Sequence, residues 1–146
     1  MTIERYCKNR LQEKVAIITG AGKGIGYGIA KVFAEEGAKI VLVSRTETDL
    51  QKGVDEITKA GGNASYIVAD VTKAEDMAKM AENTIKNHGR IDILVHNAGI
   101  YTVAHILDMT LENWNHVINT NLTSAFLVVK ACLPSMKKQN SRYSFD

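Results

Sequence analysis

Apolar and polar residues alternate in blocks along the chain, and these blocks predict strands and helices in turn. Short runs rich in β-branched residues are typical of buried strands. They occupy 15–19 (VAIIT), 39–44 (KIVLVS), 64–69 (ASYIVA) and 91–96 (IDILVH). Elsewhere apolar residues recur at intervals of three and four, as on the buried face of a helix. This spacing predicts helices over 25–36, 46 to about 60, 72–88, from 110, and 121 to about 138.

Strands that alternate with helices of about ten to fifteen residues require right-handed crossovers and a parallel sheet. We therefore predict an α/β fold, a Rossmann-like doubly wound parallel sheet with strand order 3-2-1-4 and helices on both faces. The predicted domain covers 14–138, with an N-terminal extension at 1–13 and a polar tail at 139–146. A ligand is expected between strands one and four, where the strand order reverses.

Composition narrows the function classes. The chain has 146 residues, a net charge of +2 and 45% hydrophobic residues, which fits one globular domain. Its basic residues are dispersed and no apolar run approaches a membrane span, so we expect neither a nucleic-acid nor a membrane partner. Cys7, Cys132 and the histidines have no metal-ligand spacing, and no metal site is predicted. Without a signal-like start, we expect a cytoplasmic protein.

A glycine-rich turn follows the first strand and precedes a helix. Its glycines are Gly20, Gly22, Gly24 and Gly26. Backbone N–H groups at a helix N-terminus suit a phosphate, and glycine permits its close approach. The P-loop pattern does not fit, because Ile25-Gly26 stand where it needs Lys-Ser/Thr. GxGxxG does not fit either, because Ile25 and Tyr27 occupy positions that need glycine. A connection without a ligand is the alternative, but four glycines would be an entropically costly turn.

The pattern Thr19-Gly20-x-x-x-Gly24-x-Gly26 resembles the short-chain dehydrogenase/reductase family. Three further signals agree in order and spacing: Asp70-Val71, Asn97-Ala98-Gly99, and Asn121-Leu122 before a helix containing Leu133-Pro134-x-Met136. The resemblance extends over nearly all the chain from about position 11. It implies a nicotinamide dinucleotide and hydride transfer to or from a small carbonyl or alcohol. His96 stands where the family usually has the first of two asparagines.

The resemblance also implies site residues. The cofactor-binding set is Gly20, Gly22, Lys23, Gly24, Ile25, Gly26, Ser44, Arg45, Asp70, Val71, Asn97, Ala98 and Gly99. Asp70 is expected to contact the adenine amino group, and the Asn-Ala-Gly segment to line the adenosine side. Each motif alone also has a purely structural interpretation, as a favourable helix-end charge, a turn or an N-cap.

The residues after the second strand address the choice of cofactor. In such folds an acid at this strand end binds the ribose 2′-OH and selects NAD. Here Ser44 and Arg45 occupy that place, and Lys23 adds a second cation. An arginine can pair with a 2′-phosphate, so we predict that NADP(H) is preferred over NAD(H).

Catalysis in this family uses an asparagine, a serine and a Tyr-x-x-x-Lys pair. Asn121 matches the asparagine, but no Tyr-x-x-x-Lys follows it, and Tyr143 has no lysine partner. We therefore expect a cofactor-binding portion truncated before that motif and inactive alone. The alternative is a non-catalytic nucleotide-binding or interaction module that pairs with a partner chain. Family members often dimerise through the helix that is equivalent to 121–138 of this chain. Another Rossmann protein, such as a methyltransferase, explains fewer of these motifs.

Overall fold

The computed structural model describes residues 9–139, so most of the predicted N-terminal extension and polar tail, with Cys7 and Tyr143, lies outside the described residues. Four strands alternate with helices. In chain order these are β1 (Val15–Thr19), α1 (Gly24–Glu35), β2 (Lys39–Ser44), α2 (Glu47–Lys59), β3 (Asn63–Val68), α3 (Ala74–His88), β4 (Ile93–Val95), α4 (Leu111–Ile118), a π-helical turn (Asn119–Thr123) and α5 (Ser124–Lys138).

The strands form one parallel sheet in the order β3-β2-β1-β4. The predicted fold class and strand order are therefore confirmed. β1 is buried along its whole length and lies between β2 and β4. Its register aligns Thr19 with Val43 and Ile18 with Val95, so the carboxyl ends of these three strands meet at one edge.

Side chains that alternate along β1 and β2 feed two separate apolar layers. Ile17 and Val43 point into the layer that α3 and α5 cover, with Met77 and Cys132 among its members. Ala16, Ile18 and Leu42 point the other way, under α1 and α2. Helices thus cover both faces of the sheet, as the sequence pattern predicts.

The helix starts differ from the sequence prediction. Thr46-x-x-Asp49 and Thr72-x-x-Glu75 have the spacing of capping boxes and predict one at each helix start. That prediction is wrong, because neither Thr46, the N-cap of α2, nor Lys73, the N-cap of α3, makes a side-chain capping hydrogen bond. The N–H and hydroxyl of Thr72 both donate to Asp70 Oδ1 instead, at 3.0 and 2.7 Å. At α4, Thr110 does accept a hydrogen bond from the N–H of Asn113.

The two helices predicted after residue 110 form one continuous helix, Leu111–Lys138, because the π-helical turn joins them without a break. This helix has 28 residues and a mean hydropathy of 1.3 in its most apolar window, of which 17% is buried. By length and composition it is long enough to cross a membrane, which corrects the expectation that no such run exists. Core helices of soluble proteins pass the same test.

Asp92 fixes β4 to the start of β1. Its carboxylate is fully buried, accepts the N–H of Val15 at 2.9 Å and is paired with Arg90 at 2.7 Å. Burial alone would raise the pKa of Asp92, but the hydrogen bonds from Arg90 and Val15 outweigh it and lower the pKa. The folded state thus favours the carboxylate, and this contribution to stability is present above pH 3.8, the ordinary pKa, and is lost as pH falls through the folded pKa.

Replacing Asp92 should therefore destabilise the domain and flatten its acid profile. Because Arg90 is 46% exposed and rehydrates, we expect Asp92→Ala to cost about 3 kcal/mol, the low end for a broken buried pair. Urea unfolding of wild type and variant between about pH 3 and pH 7 measures both effects. Asp55→Ala, on the exposed face of α2, is the control and should change little. An Asp92→Ala variant as stable as wild type at neutral pH would show that the Asp92 carboxylate does not hold β4 against the start of β1.

Candidate functional site

A cleft of about 290 Å³ opens at the carboxyl edge of the sheet. Loops after all four strands contribute to it, as expected for a ligand site in an open parallel sheet. The predicted residues that line it are Gly20, Gly22, Lys23, Ser44, Arg45, Asp70, Val71, Ala98 and Gly99. Segments that are far apart in the sequence therefore meet in one place, as the motifs predict.

The other predicted residues lie around the cleft rather than in its lining. Gly24 begins α1 with φ +63°, and Ile25 is mostly exposed beside it. Gly26 and Asn97 are packed against each other beneath the turn. Asn121 lies in the π-helical turn, where its side-chain amide makes two hydrogen bonds with the backbone of Ile100.

The glycine turn is held by its neighbours at very short range. A Cβ at Gly20 would lie 2.8 Å from Ala98 Cα, and Gly20 also has φ +65°. A Cβ at Gly26 would lie 2.5 Å from Asn97 Nδ2 and 2.6 Å from the Gly20 carbonyl oxygen. Only glycine fits at these two positions, so the turn packs directly onto the segment after β4. Gly20 and Gly22, just before α1, line the cleft without side chains.

Asn97 ties the turn to β4 through hydrogen bonds. Its Nδ2 donates to the carbonyl oxygens of Thr19 and Gly20, at 3.1 and 3.2 Å. In return, Thr19 Oγ1 accepts the N–H groups of Asn97 and Ala98. The Asn97-Ala98-Gly99 segment therefore supports the glycine turn and also forms part of the cleft wall.

The cleft carries charges of both signs. Lys23 and Arg45 contribute the positive charges. Asp70 contributes a negative charge. Hydrogen bonds from the N–H and hydroxyl of Thr72 lower its pKa, and Arg45 lowers it further by a smaller amount, so Asp70 is an ionised acceptor at neutral pH. Asp49 also lines the cleft beside Ser44. The Thr46-x-x-Asp49 spacing predicts only a capping role for Asp49, so sequence reasoning missed this carboxylate in the same cleft as the two cations.

Residues of the long helix complete the far wall. His116, Asn119 and Thr120 line the cleft, and the Thr120 hydroxyl is buried without a hydrogen-bond partner among the described residues. The sequence gives His116 no ligand spacing and does not predict its place in the cleft. The π-helical turn, which widens the helix at this point, has no sequence signal that would have placed them in the cleft.

Asn121 holds the loop after β4 with both ends of its amide. Its Oδ1 accepts the N–H of Ile100 and its Nδ2 donates to the carbonyl of Ile100, each at 2.8 Å. The side chain of Asn121, the predicted catalytic asparagine, is therefore fixed in orientation in the π-helical turn beside the cleft. Within residues 9–139, no cluster of three or more metal-ligating side chains occurs.

These features suit one kind of ligand. Bare glycine backbone at a helix N-terminus and two cations favour phosphate groups, while an ionised Asp70 and neutral amides offer acceptors and donors for a sugar or base. An elongated phosphorylated nucleotide fits that donor set. The fold and site thus define a Rossmann-type dinucleotide-binding domain.

Comparison with known proteins specifies the family. A profile of the short chain dehydrogenase family matches residues 14–142. The chain is 37% identical over 133 residues to Dehydrogenase/reductase SDR family member 4 of Mus musculus, covering 90% of this chain and 48% of that protein. It is 42% identical over 142 residues to Peroxisomal multifunctional enzyme type 2 of Drosophila melanogaster, covering 91% of this chain and 23% of that protein.

Solved structures agree. A short-chain type dehydrogenase/reductase from Mycobacterium marinum superposes with a TM-score of 0.85 at 40% identity, covering 88% of this chain and 52% of that one. A hydroxysteroid dehydrogenase from Escherichia coli superposes with a TM-score of 0.85 at 36% identity, covering 89% of this chain and 55% of that one. The chain belongs to the short-chain dehydrogenase/reductase family, whose members are oxidoreductases that use nicotinamide cofactors. It spans about half the length of the mouse relative.

Two glycines of α1 provide a direct test of the packing at the turn. In Gly26→Ala the new methyl group meets Asn97 and the Gly20 carbonyl, so we expect a loss of about 2–3 kcal/mol and of nucleotide binding. Gly28→Ala is the matched control, because nothing lies within 4 Å of a Cβ there. That control should gain up to about 1 kcal/mol of helix stability.

Thermal unfolding and titration with NADPH measure both variants. Equal behaviour of the two alanine variants would show that the close contact at Gly26 does not shape the turn.

Proposed function

We propose that this chain is the cofactor-binding portion of an NADP(H)-dependent oxidoreductase acting on a small carbonyl or secondary alcohol. One observation carries the proposal: the glycine turn, the cations Lys23 and Arg45, and the acceptor Asp70 line a single cleft at the strand-order reversal.

Arg45 and Lys23 support the preference for the phosphorylated cofactor. Both line the cleft next to Ser44, the position at the end of β2 where an acid would favour NAD. A guanidinium pairs with a phosphate through two parallel hydrogen bonds, which a ribose hydroxyl cannot match. Asp49 opposes this preference by repulsion, whereas Arg45 and Lys23 attract the 2′-phosphate.

The proposed binding direction follows the chemistry of the walls. Adenosine lies between Asp70 and the Ala98-Gly99 segment, with the adenine amino group on the Asp70 carboxylate. The pyrophosphate lies over the N-terminus of α1, where the helix dipole and free N–H groups favour negative charge. The nicotinamide end then points toward the loop that Asn121 holds in place.

The bound nicotinamide would supply hydride transfer to or from the substrate carbon. Asn121 would position a proton-relay group, since its amide is already fixed against Ile100. A tyrosine with its pKa lowered by a lysine would move the proton, because an unperturbed tyrosine titrates near ~10. Tyr27 and Lys31 on α1 have the Tyr-x-x-x-Lys spacing, but neither lines the cleft, and the pKa of Tyr27 is raised to about 12 rather than lowered. No such pair follows Asn121, so we expect this chain to bind the dinucleotide without turning over a carbonyl.

Substitution of Arg45 tests the cofactor preference. We expect Arg45→Gln to weaken NADPH binding by roughly 10–100-fold, the value of a charge-assisted hydrogen-bond pair, while NADH binding changes little. Fluorescence titration with both cofactors at moderate salt measures the two affinities. Asp49→Asn should do the opposite and tighten NADPH binding.

Lys52→Gln is the matched control for loss of one positive charge. Lys52 lies on α2 outside the cleft, paired with Glu56 at 4.0 Å. If wild type binds NADH more tightly than NADPH, the cofactor proposal is wrong. If neither cofactor binds while the chain is folded, nucleotide binding itself is refuted.

A second candidate, an interaction module, rests on the long helix. α4 has no buried residue, and Leu122 and Phe126 are 65% and 62% exposed on the same helix. Such an apolar surface marks a binding site more often than free surface. We propose that the helix at 121–138 pairs with its equivalent in a second copy, which is compatible with a role in nucleotide binding.

Phe126→Glu tests this pairing, because a charge in an apolar interface is costly to desolvate. We expect sedimentation velocity to show a dimer or larger assembly for wild type and a monomer for the variant. Val32→Glu is the control, since Val32 is 50% exposed on α1 and lies away from the helix. Monomeric wild type at high concentration would refute self-pairing. If wild type binds a defined heterologous partner and Phe126→Glu does not, the interaction module is favoured.

A further inference from the structure

His96 lies just after β4, between the glycine turn and the helix that carries Asn121. Its Nδ1 is 3.1 Å from the hydroxyl of Thr19, and its Nε2 is 3.1 Å from the hydroxyl of Ser124. Thr19 and Ser124 are both fully buried. One imidazole ring therefore bridges the end of β1 and the start of α5.

The other partners of Thr19 decide which ring nitrogen carries the proton. The N–H groups of Asn97 and Ala98 donate to Thr19 Oγ1, at 3.1 and 3.2 Å, and so use both lone pairs of the hydroxyl oxygen. The hydroxyl hydrogen of Thr19 is then donated to His96 Nδ1. Nδ1 is therefore the acceptor nitrogen and carries no proton.

The second nitrogen is assigned from the helix side. The hydroxyl of Ser124 donates to the carbonyl of Thr120, so its oxygen is free to accept the Nε2–H of His96. The carbonyl of Asn121 also faces the ring as an acceptor. A neutral ring with its hydrogen on Nε2 satisfies all of these groups at once.

The bridge joins the two parts of the proposed site. Thr19 immediately precedes Gly20, whose carbonyl and φ of +65° set the glycine turn. Ser124 immediately follows the π-helical turn, Asn119–Thr123, which holds Asn121 and lines the cleft at Asn119. A shift of the ring would thus change both walls of the cleft together.

We propose that His96 is a positioning residue: as the neutral Nε2–H tautomer it holds the glycine turn and the Asn121-bearing helix in register, and its protonation loosens both and lowers the affinity for dinucleotide. This inference rests on the proposed function for its ligand. The family usually has an asparagine at this position, which cannot titrate, so the pH dependence would belong to this chain and others with histidine here.

Protonation conflicts with the hydrogen bonds on the strand side. A second ring proton would sit on Nδ1 and point at Thr19 Oγ1, which already accepts two N–H groups. Thr19 would then have to release the N–H of Asn97 or Ala98, or the ring would have to move. Either change disturbs the segment that supports the glycine turn.

Nothing charged compensates a charged ring from the described elements around it. The facing groups are the hydroxyls of Thr19 on β1 and Ser124 on α5 and the carbonyl of Asn121. Burial lowers the pKa of His96, and the Asn121 carbonyl opposes this only partly. The folded state therefore favours the neutral ring. Its contribution is complete above 6.5, the ordinary histidine pKa, and is lost as pH falls below that value.

The tautomer can be tested without any nucleotide. Nitrogen NMR of the histidine rings of the full chain at about pH 8, with His96 assigned by His96→Asn, reports which nitrogen carries the proton. We expect an unprotonated Nδ1 and a protonated Nε2. A proton on Nδ1 would overturn the assignment and with it the proposal.

The coupling to the cleft is tested with NADP⁺ titrations by calorimetry between about pH 8 and pH 5.5. Asparagine keeps an acceptor toward Thr19, so His96→Asn should bind within about threefold of wild type at pH 8. At pH 5.5 wild type should lose about two- to fivefold more affinity than His96→Asn, because a one-unit pKa difference between the free and bound states gives the full tenfold factor only well below both pKa values. Because the phosphates of NADP⁺ titrate identically for all variants, only the difference between them counts.

His88→Asn is the matched control. His88 is also partly buried with a lowered pKa, but it faces Ser65 of β3 rather than the cleft. Its profile should follow wild type, with the fold monitored by circular dichroism throughout. If His96→Asn follows wild type at every pH, the coupling is refuted. If wild type binds no NADP⁺ at pH 8, the proposed function fails instead, and the NMR result still decides the hydrogen-bond assignment.

Discussion

The structure of the cleft depends on one close contact, the packing of the glycine turn onto the segment after β4. Gly26 and Gly20 leave no room for a Cβ beside Asn97 and Ala98, and Asn97 returns hydrogen bonds to the carbonyls of the turn. This contact brings the N-terminus of α1 to the edge of the sheet. Without it, the strand-order reversal would give a crevice but no oriented N–H groups for a phosphate.

Much of this arrangement was predictable because it depends on local patterns. β-branched runs placed β1 and β2 at their observed bounds, and the spacing of the glycines and of Asp70 identified the loops that meet at the cleft. The handedness of parallel crossovers then leaves few possible strand orders. The sequence therefore predicts the backbone of the site better than its side-chain chemistry.

What the sequence could not predict depends on competition between partners. Thr72 had the spacing of a capping residue, but Asp70 takes both its N–H and its hydroxyl. β4 is shorter than its apolar run, and the residues on either side of it, Asp92 and His96, make side-chain hydrogen bonds with Val15 and Thr19. α2 does begin after Thr46, but the Thr46 side chain makes no cap, and Asp49 in the first turn lies beside Ser44 in the cleft lining. Such choices are settled by three-dimensional contacts, not by propensity.

The buried and exposed faces of α5 show how the cleft depends on its surroundings. Ser124, Val128, Cys132 and Met136 form one narrow buried stripe against the sheet and α3, while the apolar residues on the opposite side remain exposed. The buried stripe holds one face of the helix, and the exposed apolar face is a candidate binding surface. Since the same helix lines the cleft at Thr120 and holds Ile100 through Asn121, a partner on that outer face would contact the element that shapes the site. Nucleotide binding and association through this helix are therefore expected to be coupled rather than alternative functions.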